Sequence, residues 1–463
     1  MKSLASVSPS PEQLLIVRRM RAGVEIIRGA AGSGKTTSAL LKLKLLVMWF
    51  QAHRRRDDNP APVRALVLTF NKTLRGYIND LVLNNIPEGN AEVTVETFGR
   101  WAVRTLGRQQ ICEESSLLSF ARGAAQDIGL SPEFLAGEAE YAIGRFPPEA
   151  IANYLSSRRD GRGTVPRVER STRQLIIERI ILPYQSWKAS NNFVDWNDIA
   201  IQMAHQSFYQ YDVIIVDEAQ DFSANQLRAI LAQRHESSTV SFILDTAQRI
   251  YSRGFTWSEV GLNIRPENTY RLSTNYRNTP EIARLAANLI QHITLDEDGT
   301  APVPSEAVGN PIPVMLVGEY SRQVEWCINY IKNSVNLETE TVGFLSPAGW
   351  FAYLKIRLVQ ERLDFIVITK KSEWEVTDTN VALSTLHSAK GLDFDHCIMI
   401  GLSGENLPDG NFPEGDERFD HAARLLSMAI GRARRQVILG YKGGEEPAIL
   451  HTIDPACYER KIL

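Results

Sequence analysis

Cysteine is scarce in this chain, and its cysteines do not have the spacing of a metal site. The 463 residues include four cysteines, far apart at Cys112, Cys327, Cys397 and Cys457. The sequence has no CxxC pair and no cysteine–histidine cluster, which argues against a zinc site and against a disulfide framework. This usage fits a reducing compartment, and we expect a cytoplasmic protein.

Long apolar runs and a strong net charge are also missing. The longest apolar run, Leu45–Phe50, is far too short to span a bilayer, and no basic and apolar leader is apparent. We therefore expect neither export nor a membrane span. The formal net charge of −3 gives nucleic acid little long-range attraction, so binding would need a local basic track.

Low-complexity segments and internal repeats are absent too, and the bulk properties are those of a globular protein. Hydrophobic residues make up 44% of the chain and charged residues 23%, close to the usual averages. The chain of 463 residues is longer than the chain length at which a single hydrophobic core stops growing. We therefore expect two to four domains.

Two sets of apolar strand candidates, separated by a helical stretch, predict an α/β architecture. Strands of the first set end in polar residues, as buried parallel strands do when their carboxyl ends carry a site. Residues 108–211 have helical periodicity without a strong strand, which predicts a helical insertion. The second set alternates with helical segments and predicts a second α/β domain. The strand candidates are Ile26–Arg28, Ala65–Leu68, Val213–Val216 and Val240–Leu244, then Ile312–Val317, Thr341–Leu345, Phe365–Thr369, Val381–Leu386, Cys397–Gly401 and Gln436–Leu439.

A phosphate-binding loop lies between the first strand candidate and an apolar helix pattern at Ser38–Phe50. Its sequence matches G-x-x-x-x-G-K-[ST], in which backbone N–H groups and a helix N-terminus hold phosphates. Lys35 is expected to neutralise the β and γ phosphates, and Thr36 to offer a hydroxyl to Mg²⁺. A simple glycine turn is the disfavoured alternative. The predicted nucleotide-binding residues here are Gly29, Ala30, Ala31, Gly32, Ser33, Gly34, Lys35, Thr36 and Thr37.

Two carboxylates follow the buried strand candidate Val213–Val216. Asp217 suits Mg²⁺ ligation, directly or through water, and Glu218 can accept the proton of an attacking water. An acidic helix N-cap is the alternative, since Asp often serves there. The phosphate loop earlier in the chain favours the catalytic interpretation.

Further motifs follow in a fixed order. In that order, behind the phosphate loop and Asp-Glu-Ala-Gln-Asp, they resemble the UvrD/Rep/PcrA-like superfamily 1 DNA helicases, from Glu12 to about Tyr441. The resemblance implies two RecA-like P-loop NTPase domains with parallel sheets that close over ATP, with a helical insertion in the first. The motifs span Asp245–Tyr251, Asn275–Arg277, Thr385–Phe394 and Arg424–Arg434.

The resemblance implies roles around ATP and Mg²⁺. Gln13 would read the adenine edge and Tyr276 would stack on the base. Arginine fingers from the second domain would stabilise the charge that spreads during phosphoryl transfer. Asp393 stands where the family usually has Glu near the ribose, two residues after Gly391. The implied catalytic residues are Lys35, Asp217, Glu218, the γ-phosphate glutamine Gln248, and the fingers Arg277 and Arg432.

A track for single-stranded DNA is implied as well. Hydroxyl, amide and imidazole groups would hold phosphates while aromatic rings stack on bases without reading sequence. Core packing is the open alternative for Phe70, Phe98 and Trp101, because large aromatics are usually buried. The implied DNA-binding residues are Phe70, Asn71, Thr97, Phe98, Tyr251, Trp257, Thr385 and His387.

Four segments make up the predicted domain organisation. About a hundred residues separate Arg277 from Val381, too few for the large helical insertion, called 2B, that full-size relatives carry there. That insertion is therefore expected to be reduced or absent. The predicted segments are 1–107 (first part of domain 1A), 108–205 (a 1B-like helical insertion), 206–270 (second part of 1A) and 271–463 (domain 2A).

Two functions from different classes remain open. The first is an ATP-dependent translocase or helicase on single-stranded or single-strand-tailed DNA, moving 3′ to 5′ by the resemblance. The second is an ATP-regulated subunit that controls a partner nuclease or a DNA-repair or antiviral defence complex, with little unwinding of its own. A small-molecule kinase has no use for two distant arginines and is disfavoured.

Overall fold

The structure is a computed structural model. It describes residues 9–29, 32–69, 90–113, 115–160, 162, 165–244, 254–291, 293, 311–369, 379–407 and 416–463. No helix within these ranges is both long enough and apolar enough to cross a membrane. All four cysteines are free thiols.

The first lobe is built on a six-stranded sheet in the order β3-β2-β4-β5-β1-β6, in which every pairing is parallel. In the central strand β4, residues 213–216 are all apolar, as expected for a strand that is covered on both faces. Ile214 packs into the core on one face and Ile215 into the core on the other. The strands are β1 (Gly23–Gly29), β2 (Val63–Thr69), β3 (Ala91–Thr97), β4 (Tyr211–Val216), β5 (Arg234–Leu244) and β6 (Thr269–Leu272).

The second lobe is built on a seven-stranded parallel sheet in the order β13-β7-β12-β11-β8-β10-β9. Both of its faces are buried by separate apolar clusters. The two parallel sheets confirm the predicted α/β fold class. The strands are β7 (Val314–Val317), β8 (Val342–Ser346), β9 (Ile366–Ile368), β10 (Val381–Thr385), β11 (Phe394–Leu402), β12 (Ala433–Tyr441) and β13 (Glu459–Ile462).

Helices cover both faces of each sheet and build the insertion. A π-helical turn, Ile177–Ile181, joins α6 to α7, and short 3₁₀ segments include Ala219–Asp221 and Trp257–Val260. The α-helices are α1 (Pro11–Val17), α2 (Lys35–Arg56), α3 (Phe98–Leu106), α4 (Ser115–Ile128), α5 (Pro132–Arg145), α6 (Arg170–Ile176), α7 (Leu182–Ser190), α8 (Trp196–His205), α9 (Ala224–Leu231), α10 (Pro280–Ile290), α11 (Tyr320–Ser334), α12 (Ala352–Gln360) and α13 (Glu417–Ile430).

The helical stretch between β3 and β4 has a hydrophobic core of its own, formed by residues between Leu117 and Tyr184. Helix α8 packs instead into the first-lobe core. At the end of α5, Arg145 pairs with Glu259 of the first lobe at 2.8 Å, which ties the insertion to the sheet. Strand β6 runs to Leu272, past the predicted boundary at residue 270.

A buried carboxylate holds the insertion together. Glu138 is fully buried and accepts hydrogen bonds from Tyr154 Oη (2.6 Å), Arg159 Nη2 (2.8 Å) and Arg162 Nε (3.0 Å). Burial on its own raises the pKa of Glu138, but the two guanidinium groups outweigh it and the pKa lies below its ordinary value. The carboxylate is therefore ionised at neutral pH.

Glu138→Gln should destabilise the protein by about 3 kcal/mol, because it removes a buried negative charge that pairs with two largely buried guanidinium groups. A lowered folded-state pKa contributes stability above the unfolded value of 4.5, and that contribution is lost as pH falls through the folded pKa. Urea unfolding followed by circular dichroism, at about pH 7 and about pH 4, should show the difference between wild type and variant shrinking in acid. The exposed Glu133→Gln on the same helix should change stability by under about 0.5 kcal/mol.

Candidate functional site

The carboxyl ends of the first-lobe strands meet at a phosphate-type loop. The loop leaves β1 at Gly29, and α2 begins at Lys35, whose Nζ donates to the Gly29 carbonyl at 2.8 Å. Ser33 is fully buried, and its hydroxyl has no hydrogen-bond partner among the described residues. An unpartnered buried hydroxyl in such a loop is suited to a phosphate oxygen. Thr37 is half-buried in the first turn of α2, and Ala30 and Ala31 lie outside the described residues.

Gln13 is fixed against this loop by both ends of its amide. Its Nε2 donates to the Ser33 carbonyl at 2.9 Å, and its Oε1 accepts from Ser10 N at 2.9 Å. A side-chain carbon on Gly34, which has φ +75°, would overlap the Gln13 amide. The amide keeps one donor and one acceptor position for a base edge, the pair that adenine recognition needs.

Two acidic residues follow β4 where the sequence predicts them. Asp217 Oδ2 accepts from Thr36 Oγ1 at 2.8 Å, so a hydroxyl and a carboxylate converge at the first turn of α2. Oxygen ligands of this kind are those that Mg²⁺ prefers, and the pair fits that ion. Glu218 has left-handed backbone angles, φ 53° and ψ 42°, and its backbone N donates to Asp217 Oδ1 at 3.0 Å.

The two carboxylates have opposite pKa shifts. Burial raises the pKa of Asp217 to about 6, and the adjacent charge of Glu218 adds to the rise. Burial also acts to raise the pKa of Glu218, but the cations of Lys390, Arg432 and Lys35 outweigh it and hold the pKa at about 2. Glu218 is therefore the more firmly ionised of the two.

A lysine of the second lobe reaches these carboxylates. Lys390 is buried, its Nζ pairs with Asp221, and it lies 3.7 Å from Glu218 Oε2. Gln220 donates to the same Glu218 oxygen. Lys390 lies within the motif that the sequence singles out, but its role becomes visible only once the lobes are packed together.

Lys390→Ala should lower the ATPase rate roughly 100-fold, because removing one partner of a buried ion pair costs about 3 kcal/mol. The loss falls on the packed arrangement of the lobes, since the buried carboxylate of Asp221 would lose its pairing with this lysine. Steady-state ATPase assays test this. Lys442→Ala, which removes a partly exposed lysine paired with Glu445, is the matched control and should keep the wild-type rate.

The other edge of the loop is covered by residues 275–278. Tyr276 N donates to the Gly32 carbonyl at 3.0 Å, and its side chain is 51% exposed, leaving the ring free to stack. Gly32 has φ +75°, and a side-chain carbon there would come within 2.8 Å of Arg277 Cβ. Only glycine allows this approach, so the second lobe lies directly on the loop.

Arg277 and Arg432 are brought to the same interface but have different partners. Arg277 Nε pairs with Asp393 Oδ2 at 3.0 Å, and Arg434 approaches the same oxygen at 3.5 Å. Arg432 is 3% exposed, close enough to Glu218 to lower its pKa, and its Nε lies 3.3 Å from Met428 Sδ. The second oxygen of Asp393 is buried without a partner among the described residues, and Gly391 nearby has φ +84°.

Asn278, which the sequence motifs did not single out, links the backbone segments that carry the two arginines. Asn278 Nδ2 donates to the carbonyl of Gly431 at 3.0 Å and to that of Ala433 at 2.5 Å, on either side of Arg432. Asn275 Oδ1 accepts from Arg277 N at 3.0 Å, and Asn275 Nδ2 donates to Asn278 Oδ1 at 2.8 Å. The backbone at Arg277 is thereby fixed relative to that at Arg432.

The predicted DNA-binding residues that the structure describes make mainly local contacts. Thr97 caps α3 at the end of β3, and Thr385 ends β10 with Oγ1 2.9 Å from Ser388 Oγ. The half-buried ring of His387 lies 5.8 Å from that of His421. Trp257 is half-buried against Phe242. Besides Ala30 and Ala31, four more predicted site residues lie outside the described residues: Phe70, Asn71, Gln248 and Tyr251.

Phe98 does not suit the predicted stacking role. Its side chain is 4% exposed and packs edge-on against Trp101 and Phe222. The physical reason is that the ring starts α3 on its core-facing side, so core packing is the correct interpretation here. The neighbouring Gly99 is covered by Trp196, whose Cζ3 would lie 2.9 Å from a side-chain carbon there.

Family comparisons match both halves of the chain. The UvrD/REP helicase N-terminal domain matches residues 10–255, and the UvrD-like helicase C-terminal domain matches residues 357–443. The first match alone covers more than half of the chain.

Individual relatives are similar at low identity. A "Probable DNA helicase" of Mycoplasma pneumoniae is 22% identical over 449 residues, covering 90% of this chain and 80% of the relative. A "Probable DNA helicase II homolog" of that organism is 24% identical over 347 residues, covering 67% and 47%. The "ATP-dependent DNA helicase PcrA" of Bacillus subtilis is 24% identical over 301 residues, covering 58% and 38%.

The chain spans about half the length of several curated relatives that it matches. Among solved structures, the C-terminal domain of a possible DNA helicase from Lactobacillus plantarum matches with a TM-score of 0.30 and 19% identity. That match covers 40% of this chain and 98% of the solved domain.

Proposed function

Since this chain belongs to the UvrD/REP helicase family, we propose that it is an ATP-driven motor that moves along single-stranded DNA. The observation that carries the proposal is the shared environment of Glu218. This first-lobe carboxylate is held ionised by Lys390 and Arg432 of the second lobe together with Lys35 of its own lobe. A carboxylate that depends on both lobes makes hydrolysis depend on how the lobes are packed.

In this proposal the phosphate loop binds the triphosphate of ATP. Lys35 Nζ, the Ser33 hydroxyl and the backbone N–H groups at the start of α2 surround the position for the β and γ phosphates. Thr36 and Asp217 would hold Mg²⁺, which neutralises phosphate charge when bound. Gln13 and Tyr276 would hold the adenine between the start of the chain and the second lobe.

Glu218 would orient the attacking water and accept its proton. With a pKa of about 2 it is a weak base, because three cations surround it. A bound triphosphate offsets the charge of those cations, which raises the basicity of Glu218 only when nucleotide is present. Arg432, and Arg277 once released from Asp393, would stabilise the charge that spreads over the transferring phosphoryl group.

Movement along DNA would follow from opening and closing of the lobes. The Lys390–Asp221 pair and the Tyr276–Gly32 hydrogen bond join the lobes beside the nucleotide site. Thr97 ends a strand of one lobe and Thr385 ends a strand of the other, so a DNA strand contacting both would be gripped and released in alternation. We propose 3′-to-5′ movement on the family resemblance.

ATPase assays with and without single-stranded DNA test the motor. We expect DNA to raise the rate by about 5-fold to 150-fold, the range that corresponds to a coupling free energy of about 1–3 kcal/mol, and RNA of the same length to raise it less. A rate that DNA leaves unchanged would contradict the proposal.

A regulatory subunit is the second candidate. Between Arg277 and Val381, the described residues form α10, β7, α11, β8, α12 and β9, which belong to the second lobe itself. This supports a reduced or absent 2B domain, and with it a chain that hydrolyses ATP under the control of a partner nuclease, repair or defence protein. Strand displacement on a forked duplex separates the two candidates. DNA-stimulated ATPase without displacement would favour the regulatory subunit.

A further inference from the structure

Trp350 is an exposed aromatic side chain that neither the family motifs nor the nucleotide site uses. Its side chain is 55% exposed, the largest exposed fraction among the tryptophans of the described ranges. No aromatic ring in those ranges stacks on it. A tryptophan in water forgoes a large gain in burial, so a conspicuously exposed one suggests a binding role.

The backbone before Trp350 is fixed at the carboxyl edge of the second sheet. Strands β8 and β10 pair in parallel, with Ser346 opposite Thr385 at their ends. The Ser346 hydroxyl accepts from Gly349 N at 3.0 Å and from Trp350 N at 3.4 Å. These hydrogen bonds fix the backbone of Trp350, which limits the conformational entropy lost when a ligand stacks on its side chain.

Gly349 places this turn directly beside Thr385, one of the predicted DNA contacts. Its φ is +72°, which disfavours any side chain, and a side-chain carbon there would lie 3.3 Å from Thr385 Cγ2. The close approach brings the backbone of residue 349 into contact with the end of β10. Trp350 therefore directly follows the glycine that packs against Thr385, whose hydroxyl would hold a DNA phosphate.

We infer that Trp350 stacks on a base of single-stranded DNA as the strand passes Thr385. The inference rests on the proposed function and adds a residue to its DNA track. A hydroxyl for the backbone and an adjacent open ring for the base are the two elements of sequence-tolerant single-strand binding. The indole face is available to any of the four bases.

The exposed apolar residues farther along α12 form a separate surface. Tyr353, Ile356 and Val359 are 41%, 57% and 66% exposed and continue along the helix after Trp350. They lie on the helix that follows the turn, whereas Gly349 within the turn packs beside Thr385. A protein partner seated on that stripe would use Ile356 as much as Trp350, which makes Ile356 the matched control.

Fluorescence anisotropy with a labelled oligothymidine, using the full chain, tests the inference. Trp350→Ala should raise the dissociation constant by between about 5-fold and 100-fold, whereas Trp350→Phe should keep most of the affinity. Ile356→Ala should bind like wild type. The ATPase rate without DNA should be unchanged in Trp350→Ala, which shows that the variant is folded and its nucleotide site intact.

A scan of single abasic positions along the oligonucleotide supplies the second arm. Wild type should lose affinity at one position more than at its neighbours, and Trp350→Ala should be insensitive at that position. Equal affinities of Trp350→Ala and wild type would overturn the inference while leaving the motor intact. Failure of the wild-type chain to bind the oligonucleotide would overturn the motor together with the inference.

Discussion

Replacing Arg432 with alanine lowers the rate of DNA-stimulated ATP hydrolysis by about 10³-fold or more, the size of effect that arginine fingers have elsewhere. Arg432 is 3% exposed and lies near Glu218, so its charge acts in a site with little water to screen it. The loss should appear in kcat, with little change in KM for ATP, because in our proposal the arginine acts mainly on the transition state.

Arg435→Ala is the matched control for this prediction. Arg435 lies three residues away, is 61% exposed, and pairs with Glu340 at 2.5 Å. It should keep the wild-type kcat. Arg432→Lys keeps the charge but not the planar fork, and should recover only part of the rate. An Arg432→Ala enzyme with wild-type kcat would mean that the second lobe takes no part in the chemistry.

Glu218→Gln has the second large effect, a loss of hydrolysis of about 10³-fold with ATP binding retained. The substitution removes the group that we propose accepts the proton of water, and general-base catalysis supplies roughly 10²–10⁴-fold. It also removes the negative charge among three cations, so ATP should bind at least as tightly as to wild type. Rapid-quench hydrolysis together with nucleotide binding by calorimetry measures both quantities.

The control for Glu218→Gln is Glu236→Gln, at the amino end of β5. Glu236 is exposed and lies at the opposite end of the sheet from the strand termini that carry the site. It should hydrolyse ATP like wild type. Equal hydrolysis by Glu218→Gln and wild type would remove the assigned base, whereas loss of ATP binding would show that the substitution disturbs the loop.

The buried strands were predictable because most of their residues are apolar. Residues 213–216 are all apolar, and residues 240–244 are apolar except for Ser241. Both segments are buried, and the structure places strands there. Strands β3, β6 and β13 were not among the candidates, because all three are edge strands with polar residues. The predicted helix at Ser38–Phe50 extends to Lys35–Arg56, since basic residues suit the last turn of a helix.

Site residues next to strand ends were accessible to sequence reasoning in the same way. The motifs name Lys35, Asp217 and Glu218, and the structure brings all three together. The contacts of Lys390 with Asp221 and of Asn278 with Gly431 depend on how distant segments pack, which no local pattern records. Phe98 illustrates a further limit, because a core ring and a DNA-stacking ring look alike in sequence.

The affinity for a transition-state analogue tests most directly whether one nucleotide is gripped by both lobes. With Mg²⁺ present, wild type should bind ADP–aluminium fluoride at least about 10²-fold more tightly than ADP, as enzymes do with such analogues. Arg432→Ala should bind ADP like wild type and lose most of that preference, because only the arginine of the second lobe is missing. An Arg432→Ala variant that kept the full wild-type preference would contradict a shared grip on the nucleotide.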